Sequence, residues 1–289
     1  MKIIASVART NEILEKFDLR AKKGYGQNFL TDSNIVANIA DKADCQDGCV
    51  IEIGPGIGAL TQMLAQRAKF VLAYEIDTKL LDVLAYSLAD LDNVKIINED
   101  FLNCELASVV KTLKEQYGKV VVCANLPYYI TTPILFKLFE CEQQVDKITV
   151  MMQKEVADRF SAKVNSKDYN ALSVMSQYLY DVKTIIKVSR NVFNPKPNVD
   201  SAVVQFSQHQ RPAINDQAAF FALVKASFKQ RRKTLYNNLR EYLQDGPLVE
   251  KILADCQLSN KARAQELSLE QFIQLYERYD HERKSVCKD

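Results

Sequence analysis

Apolar residues in the first two-thirds of the chain form short continuous runs that alternate with helically spaced patterns. Continuous apolar runs predict strands that are covered on both faces of a sheet. Such runs occupy residues 49–54, 70–77, 93–100, 119–126 and 147–154. Helical spacing occupies residues 33–43, 57–68 and 78–90. Strands that alternate with helices indicate βαβ units and a parallel sheet.

The pattern changes in the last third of the chain. Residues 182–188 and 201–206 predict a closing pair of strands at the end of the sheet. The polar, proline-containing stretch 208–216 is typical of a linker. Beyond it the apolar spacing is helical throughout. We therefore predict an α/β protein with a Rossmann-like sheet domain over residues 1–206 and a small all-helical domain over residues 217–289.

Composition and charge fit a globular protein. The 289 residues include 47% hydrophobic and 26% charged residues, with a formal net charge of +2. No apolar run approaches the ~20 residues of a membrane span, and the first residues are too charged for a signal peptide. Seven scattered cysteines and two histidines give no zinc spacing, so we expect no metal and inert thiols in a reducing cytoplasm. Nothing demands an oligomer, and we expect a monomer.

A glycine-rich turn follows the first predicted strand and opens a helix. Residues 54–59 read Gly-Pro-Gly-Ile-Gly-Ala, and Glu75 ends the next strand, about twenty residues further on. Glycine lets the backbone approach a nucleotide closely, and an acid at this place accepts both ribose hydroxyls. Gly54 and Glu75 are therefore candidate adenosine ligands. The pattern alone leaves both NAD and S-adenosylmethionine open.

Asp100 bears on that choice because it ends the third predicted strand, directly before Phe101 and Leu102. Its carboxylate would accept from an adenine amino group while an apolar neighbour packs near the ring. The alternative for Asp100 is an acid that caps a helix or closes a turn.

The segment Asn125-Leu126-Pro127-Tyr128 follows the fourth predicted strand, at the sheet edge where open α/β folds bind ligands. The exocyclic amino group of a base is a poor nucleophile, because its lone pair is delocalised into the ring. Two acceptors, the Asn125 side-chain oxygen and a backbone carbonyl next to Pro127, would hold its hydrogens and point the lone pair at a methyl donor. Tyr128 offers a stacking face for an unstacked base.

The whole pattern resembles the ribosomal small-subunit RNA adenine dimethyltransferase family, the KsgA type, nearly from end to end. The matching segments are 26–30, 51–56, 74–77, 125–128, 152–159, 193–202 and 230–234. Tyr129 departs slightly, since some members carry a polar residue there. The resemblance implies a class I methyltransferase fold and an enzyme of the cytoplasm. It would use S-adenosylmethionine to dimethylate N6 of two adjacent adenosines in the 3′-terminal hairpin of small-subunit RNA during ribosome biogenesis.

The resemblance also assigns site residues. It places the S-adenosylmethionine contacts on Asn28, Leu30, Gly54, Glu75, Asp100 and Asn125. It makes Phe193 a second wall for the flipped adenine, opposite Tyr128. The alternative for Phe193 is a core residue that anchors its loop.

Clustered basic residues indicate where RNA would bind. Residues 225–240 hold six basic residues and no acid, in a pattern that predicts a basic helix face. Further clusters precede Asn28 and flank residues 165–167. The predicted RNA-binding residues are Lys22, Lys23, Arg159, Lys229, Arg231, Arg232 and Lys233.

Three other functions remain open from the sequence. The first is methylation of large-subunit RNA by the related resistance-type enzymes, which tend to be shorter. The second is a non-enzymatic checkpoint in ribosome assembly that binds RNA through the basic residues. The third, a nicotinamide-dependent dehydrogenase, rests on the glycine-rich turn alone.

Overall fold

The computed structural model describes residues 2–19, 28–141, 145–210 and 212–286. The strands are β1 (Phe29–Leu30), β2 (Cys49–Ile53), β3 (Phe70–Tyr74), β4 (Val94–Ile97), β5 (Val120–Asn125), β6 (Lys147–Gln153), β7 (Tyr180–Val188), β8 (Phe193–Asn194) and β9 (Ser201–Gln208). The first eight helices are α1 (Val7–Lys16), α2 (Ser33–Lys42), α3 (Ala59–Ala65), α4 (Lys79–Ser87), α5 (Leu106–Tyr117), α6 (Thr131–Glu140), α7 (Lys154–Phe160) and α8 (Ala171–Leu179). The remaining helices are α9 (Gln217–Ser227), α10 (Leu235–Leu243), α11 (Gly246–Asp255) and α12 (Leu269–Val286).

Seven strands form one mixed sheet in the order β4-β3-β2-β5-β6-β9-β7. The five strands from β4 to β6 are parallel, and β9 pairs antiparallel with β6. Each predicted strand is confirmed within a few residues, including the closing pair at the end of the sheet. A second, two-stranded pair joins β1 to β8, with Leu30 opposite Phe193, and the apolar pattern gave no sign of it.

Short polar side chains fix where several helices begin. Asp32 precedes α2, and its carboxylate accepts hydrogen bonds from the backbone N–H groups of Asn34 and Ile35. Asn170 caps α8 in the same way through the Leu172 N–H. Such caps satisfy backbone donors that have no partner within the helix.

The sheet is covered by apolar faces of the helices that the spacing predicted. Val36 of α2, Leu64 of α3 and Val83 of α4 are fully buried in one cluster with Val50 and Val71 of the strands. Burying a side chain of this size contributes about 1.5–3 kcal/mol to folding. This packing holds the carboxyl ends of the parallel strands in place, and the candidate site lies there.

The chain divides into two compact units. One comprises Met1–Ala157 with Lys183–Gln208, and the other comprises Asp158–Val182 with His209–Asp289. Residues 158–182, which we placed in the predicted sheet domain, therefore group with the C-terminal helices. The reason lies in α8, which carries buried apolar residues on the side that contacts α9 and α12.

The core of the second unit is rich in aromatic contacts. The ring centroids of Tyr178 and Phe220 lie 5.1 Å apart, and those of Phe228 and Phe272 lie 5.6 Å apart. The Tyr169 hydroxyl donates to the Leu267 carbonyl at 3.0 Å. Aromatic pairs of this geometry stabilise a core beyond the area that they bury.

Candidate active site

A cavity of about 280 Å³ opens where β2, β3, β4 and β5 end. It lies within the first unit, at the edge where open α/β sheets bind ligands. The predicted site residues that line it are Asn28, Leu30, Gly54, Glu75, Asp100, Asn125, Leu126, Pro127 and Tyr128. All six positions assigned to S-adenosylmethionine are thus brought together, from segments far apart in sequence.

The glycine-rich turn forms one wall of the cavity. Gly54 has a φ of +69°, a conformation that L side chains rarely adopt. A Cβ atom at Gly58 would lie 2.9 Å from Cδ2 of Leu88, so glycine is also needed where α3 begins. The glycines therefore leave backbone exposed to the cavity between Pro55 and Ile57, which also line it.

Glu75 lies at the end of β3, opposite this turn. Its Oε1 accepts from the Asp77 N–H at 2.8 Å, and its Oε2 accepts from the Gly56 N–H at 3.4 Å. Burial raises the pKa of Glu75, while the two backbone donors act in the opposite direction. The carboxylate is thus held in a fixed orientation, with lone pairs remaining for two hydroxyl groups of a ligand.

Asp100 has the capping role that the sequence left open, and it also lines the cavity. Its Oδ1 accepts from the Leu102 N–H at 2.9 Å and caps a short 3₁₀ turn at Phe101–Asn103. The same residue also lines the cavity, next to Phe101, which is buried. The cap fixes where the carboxylate points, and the role of Asp100 toward an adenine amino group stays a prediction.

Asn125 ends β5 and reaches the segment before β1. Its Nδ2 donates to the Asn28 carbonyl at 3.4 Å, a long hydrogen bond across 97 positions of sequence. This contact orients the amide, so that nitrogen and oxygen have different surroundings. The Asn125 Oδ1 is then the branch that can accept from a substrate amino group.

The turn after Asn125 is held by backbone hydrogen bonds. The Leu126 N–H donates to the Met151 carbonyl at 3.0 Å. The Pro127 carbonyl accepts twice, from the Ile130 N–H at 3.2 Å and the Thr131 hydroxyl at 3.0 Å. The Tyr128 hydroxyl lies 2.7 Å from Oγ of Ser201 on β9. Both ends of this turn are therefore fixed before any substrate binds.

The comparisons with known proteins agree with this geometry. The family model for ribosomal RNA adenine dimethylase matches residues 18–281. A ribosomal RNA small subunit methyltransferase A of Bacillus cytotoxicus is 49% identical over 282 residues, which cover 95% of this chain and 97% of that protein. The corresponding protein of Bacillus pumilus is 48% identical, with coverage of 95% and 96%.

This chain belongs to the ribosomal RNA adenine dimethylase family.

Solved structures show the same fold. The 23S rRNA methyltransferase ErmE has a TM-score of 0.67 at 29% identity, covering 88% of this dimethylase and all of that chain. A dimethyladenosine transferase from Plasmodium falciparum has a TM-score of 0.73 at 23% identity, covering 88% and 98%. The predicted class I methyltransferase sheet is thereby confirmed. The nicotinamide alternative is excluded, because this family uses S-adenosylmethionine.

The cavity of this dimethylase fits that methyl donor. Glu75 supplies the carboxylate that ribose hydroxyls require, and exposed Ile76 and buried Phe101 supply apolar surface for a purine. Glu52 adds a buried carboxyl whose Oε2 has no hydrogen-bond partner among the described residues. A buried carboxyl oxygen without a partner can accept a hydrogen bond from a ligand's ammonium group.

We assigned no role to Glu52 from the sequence. It stands alone among apolar residues of β2, and burial raises its pKa to about 8. A single acid within a strand whose other residues are all apolar is the signal that would have identified it.

Phe193 does not line the cavity in the part of the chain that the structure describes. It is buried in the apolar cluster of the first unit, on β8, where it pairs with Leu30 of β1. Its position matches the alternative interpretation, a residue that anchors its loop. Its role as a second wall for adenine stays a prediction.

The basic residues of the dimethylase are placed differently from the predicted helix face. Lys229, Arg231, Arg232 and Lys233 are exposed in the connection between α9 and α10, since α10 begins only at Leu235. Thr234 caps that helix, and the buried Asn238 side chain donates to the Ser227 and Gln230 carbonyls. These bonds hold residues 228–234 as a loop, which we call the basic loop.

Of the other predicted RNA contacts, Arg159 is half-buried on α7. Lys22 and Lys23 lie outside the described residues.

The described part of the chain contains no cluster of three or more histidine, cysteine or acidic side chains able to hold a metal ion. It also contains no helix long and apolar enough to span a membrane.

Proposed function

We propose that this chain transfers methyl groups from S-adenosylmethionine to N6 of two adjacent adenosines in the 3′-terminal hairpin of small-subunit ribosomal RNA. Each adenosine would be dimethylated, during assembly of the small subunit. The observation that carries the proposal is one cavity that joins the Asn125–Tyr128 turn to Gly54, Glu75 and Asp100. The groups proposed for the donor and those proposed for the target base thus line the same cavity.

The residues divide between the two ligands. Glu75 would accept from the ribose hydroxyls and Asp100 from the adenine amino group of the donor. The backbone of Gly54 would lie against the donor, with Asn28 and Leu30 covering it from the segment before α2. The donor supplies an electrophilic methyl group on its sulfonium, and the chain's own groups position the nucleophile.

Asn125 Oδ1 and a backbone carbonyl would accept the two hydrogens of the target N6. The Pro127 carbonyl already accepts two hydrogen bonds, so the Leu126 carbonyl is the better candidate. Holding both hydrogens favours a pyramidal nitrogen whose lone pair points at the methyl group. A strong general base is unnecessary, because the amine becomes acidic only after it has been methylated.

The choice of the small subunit rests on the relatives. Proteins named ribosomal RNA small subunit methyltransferase A are 47–49% identical over nearly the whole chain. The 23S rRNA methyltransferase ErmE is 29% identical, and it makes large-subunit RNA the alternative substrate. The basic loop supports an RNA substrate in either case. A monomer located in the cytoplasm stays a prediction.

The test uses methyl-labelled S-adenosylmethionine and small subunits that lack the modification, followed by digestion of the RNA to nucleosides. Label in N6,N6-dimethyladenosine is the expected result. Label on large-subunit RNA alone would move the assignment to the resistance-type enzymes. If neither RNA is labelled but the protein still binds small subunits, the non-enzymatic checkpoint in ribosome assembly becomes the favoured function.

Asn125→Ala provides the mechanistic control in the same assay. We expect transfer to fall by at least 100-fold while donor binding survives in part, because the amide acts mainly on the target nitrogen. Asn260→Ala, at an exposed position in the second unit, serves as the matched variant. Full activity in Asn125→Ala would contradict the proposed chemistry.

A further inference from the structure

Tyr129 combines two properties that few residues of this chain share. It lines the cavity, and 56% of its surface is exposed to solvent. Among the described residues, Ile76 is the other large apolar side chain that does both. Ile76 adjoins Glu75 at the donor end, whereas Tyr129 adjoins Tyr128 at the turn that would receive the target base.

The two consecutive tyrosines are placed in opposite ways. Tyr128 is half-buried, and its hydroxyl lies 2.7 Å from the Ser201 hydroxyl. Tyr129 follows at the next Cα, ~3.8 Å along the chain, and more than half of its surface is exposed at the edge of the cavity. The turn between β5 and α6 is closed by the Ile130 N–H on the Pro127 carbonyl. A firmly held turn thus carries one inner and one outer aromatic ring.

The geometry of the RNA substrate suggests a function for the exposed ring of Tyr129. When one adenosine leaves the stack to enter the cavity, its neighbour loses a stacking partner on one face. Aromatic side chains replace such partners, and every base has a face on which they can stack. An exposed ring beside the cavity is placed to meet the nucleotide next to the target.

We propose that Tyr129 is the stacking surface for the nucleotide adjacent to the target adenosine, and that the base of that nucleotide thereby affects the rate at which this enzyme methylates the target. This inference rests on the proposed function. The inference adds to the proposed function a role in substrate specificity, which the Asn125–Tyr128 turn does not provide. Since purines stack better than pyrimidines, methylation of one adenosine should depend on the base beside it.

The test uses small subunits in which one of the two adenosines is replaced by guanosine or by uridine. The initial rate of methylation of the remaining adenosine is measured at subsaturating subunit concentration. For the parent enzyme we expect a rate about fivefold higher beside guanosine than beside uridine, as one stacking contact allows. Tyr129→Phe should keep this ratio, and Tyr129→Ala should lower the rate and bring the ratio close to one.

Two controls separate this role from others. Tyr242→Ala removes another exposed tyrosine, on α10, and should leave the ratio unchanged. The donor dissociation constant, measured without RNA, should be the same within about twofold in the parent and both Tyr129 variants. A Tyr129→Ala enzyme that keeps the parent's ratio would overturn the inference, and so would a parent ratio of one.

Failure of the inference and failure of the proposed function give different results. If the parent enzyme forms no N6-methylated adenosine on unsubstituted small subunits, the proposed function itself is wrong. If it methylates these subunits but its rate does not depend on the neighbouring base, only the proposed role of Tyr129 is wrong. A loss of donor affinity in Tyr129→Ala with an unchanged ratio would place the ring in the donor site instead.

Discussion

The hydroxyl of Tyr128 lies 2.7 Å from that of Ser201, which joins the turn after β5 to the first residue of β9. Ser201 is buried, and burial raises the pKa of Tyr128, so the phenol keeps its proton at neutral pH. The ring that would stack on the target base is thus anchored at its far end. This anchor leads to the first prediction.

Tyr128→Phe should lower the turnover number severalfold and leave donor affinity unchanged, because the ring remains but its orientation is less restricted. Tyr128→Ala removes the stacking surface and should lower kcat/KM by at least tenfold, in line with the ~1–3 kcal/mol of a base–aromatic contact. Single-turnover methylation of small subunits measures both effects. If Tyr128→Ala matched the parent enzyme, the stacking role would be excluded.

The second prediction concerns Glu75. Glu75→Gln keeps the size but replaces one acceptor oxygen with a donor, so we expect donor affinity to fall by about tenfold, and further in Glu75→Ala. Isothermal titration with S-adenosylmethionine measures the dissociation constants. Glu115→Gln, an exposed position on α5, is the matched control and should bind like the parent. Parent-like affinity in Glu75→Ala would remove Glu75 from the donor site.

Sequence alone predicted much of this site, for a physical reason. Parallel strands end at one edge of their sheet, so residues that end predicted strands must meet there. Gly54, Glu75, Asp100 and Asn125 were placed by that argument. Asn28 and Leu30 could not be placed in this way, because strands as short as β1 and β8, with two residues each, produce no recognisable apolar pattern in the sequence. Only the family resemblance indicated them.

The basic loop shows the opposite case. The spacing of basic and apolar residues over 225–240 predicts a helix face, but it carries no information on where a helix starts. That start depends on Thr234 as a cap and on buried Asn238, whose amide binds carbonyls that precede the helix. The cap is a local contact with the Asn237 N–H, whereas the Asn238 contacts reach back 8 and 11 residues, and neither is visible in the spacing of apolar and basic residues.

The third prediction is a pH dependence of stability that arises from Glu52. The folded chain keeps the Glu52 proton up to about pH 8, whereas an unfolded chain releases it near 4.5. The folded state therefore binds more protons between these values, and the contribution of Glu52 to the free energy of unfolding falls as pH rises through this window. Above about pH 8 the buried group is charged, and the contribution is lost.

Glu52→Gln removes this titration while it keeps the size of the side chain. Its stability relative to the parent should therefore rise from pH 5 to pH 8, by up to roughly 4 kcal/mol in total. Urea unfolding at several pH values measures the difference. Glu115→Gln should show a difference that is constant with pH. The same constancy in Glu52→Gln would mean that the buried carboxyl is already ionised at pH 5.

The last prediction concerns a carboxylate, Glu241, that pairs with two lysines of the basic loop. Glu241 accepts from Lys229 at 2.7 Å and from Lys233 at 3.3 Å, and all three side chains are exposed. Exposed ion pairs contribute little to stability, so Glu241→Gln should leave the unfolding temperature nearly unchanged. Both lysines then become available to phosphates, and affinity for small-subunit RNA should rise severalfold at low salt.

Arg232→Ala tests the same surface from the other side. It should weaken binding to all RNA sequences alike and reduce the slope of log affinity against log salt by about 0.7 to 0.9, the value for one phosphate contact. Lys261→Ala removes the same charge from an exposed position elsewhere in the second unit and should leave the slope unchanged. An unchanged slope in Arg232→Ala, together with unchanged affinity in Glu241→Gln, would mean that the basic loop does not contact RNA. The charge of this loop would then be an ordinary solvated surface, and the RNA contacts would have to be sought elsewhere on the chain, Arg159 included.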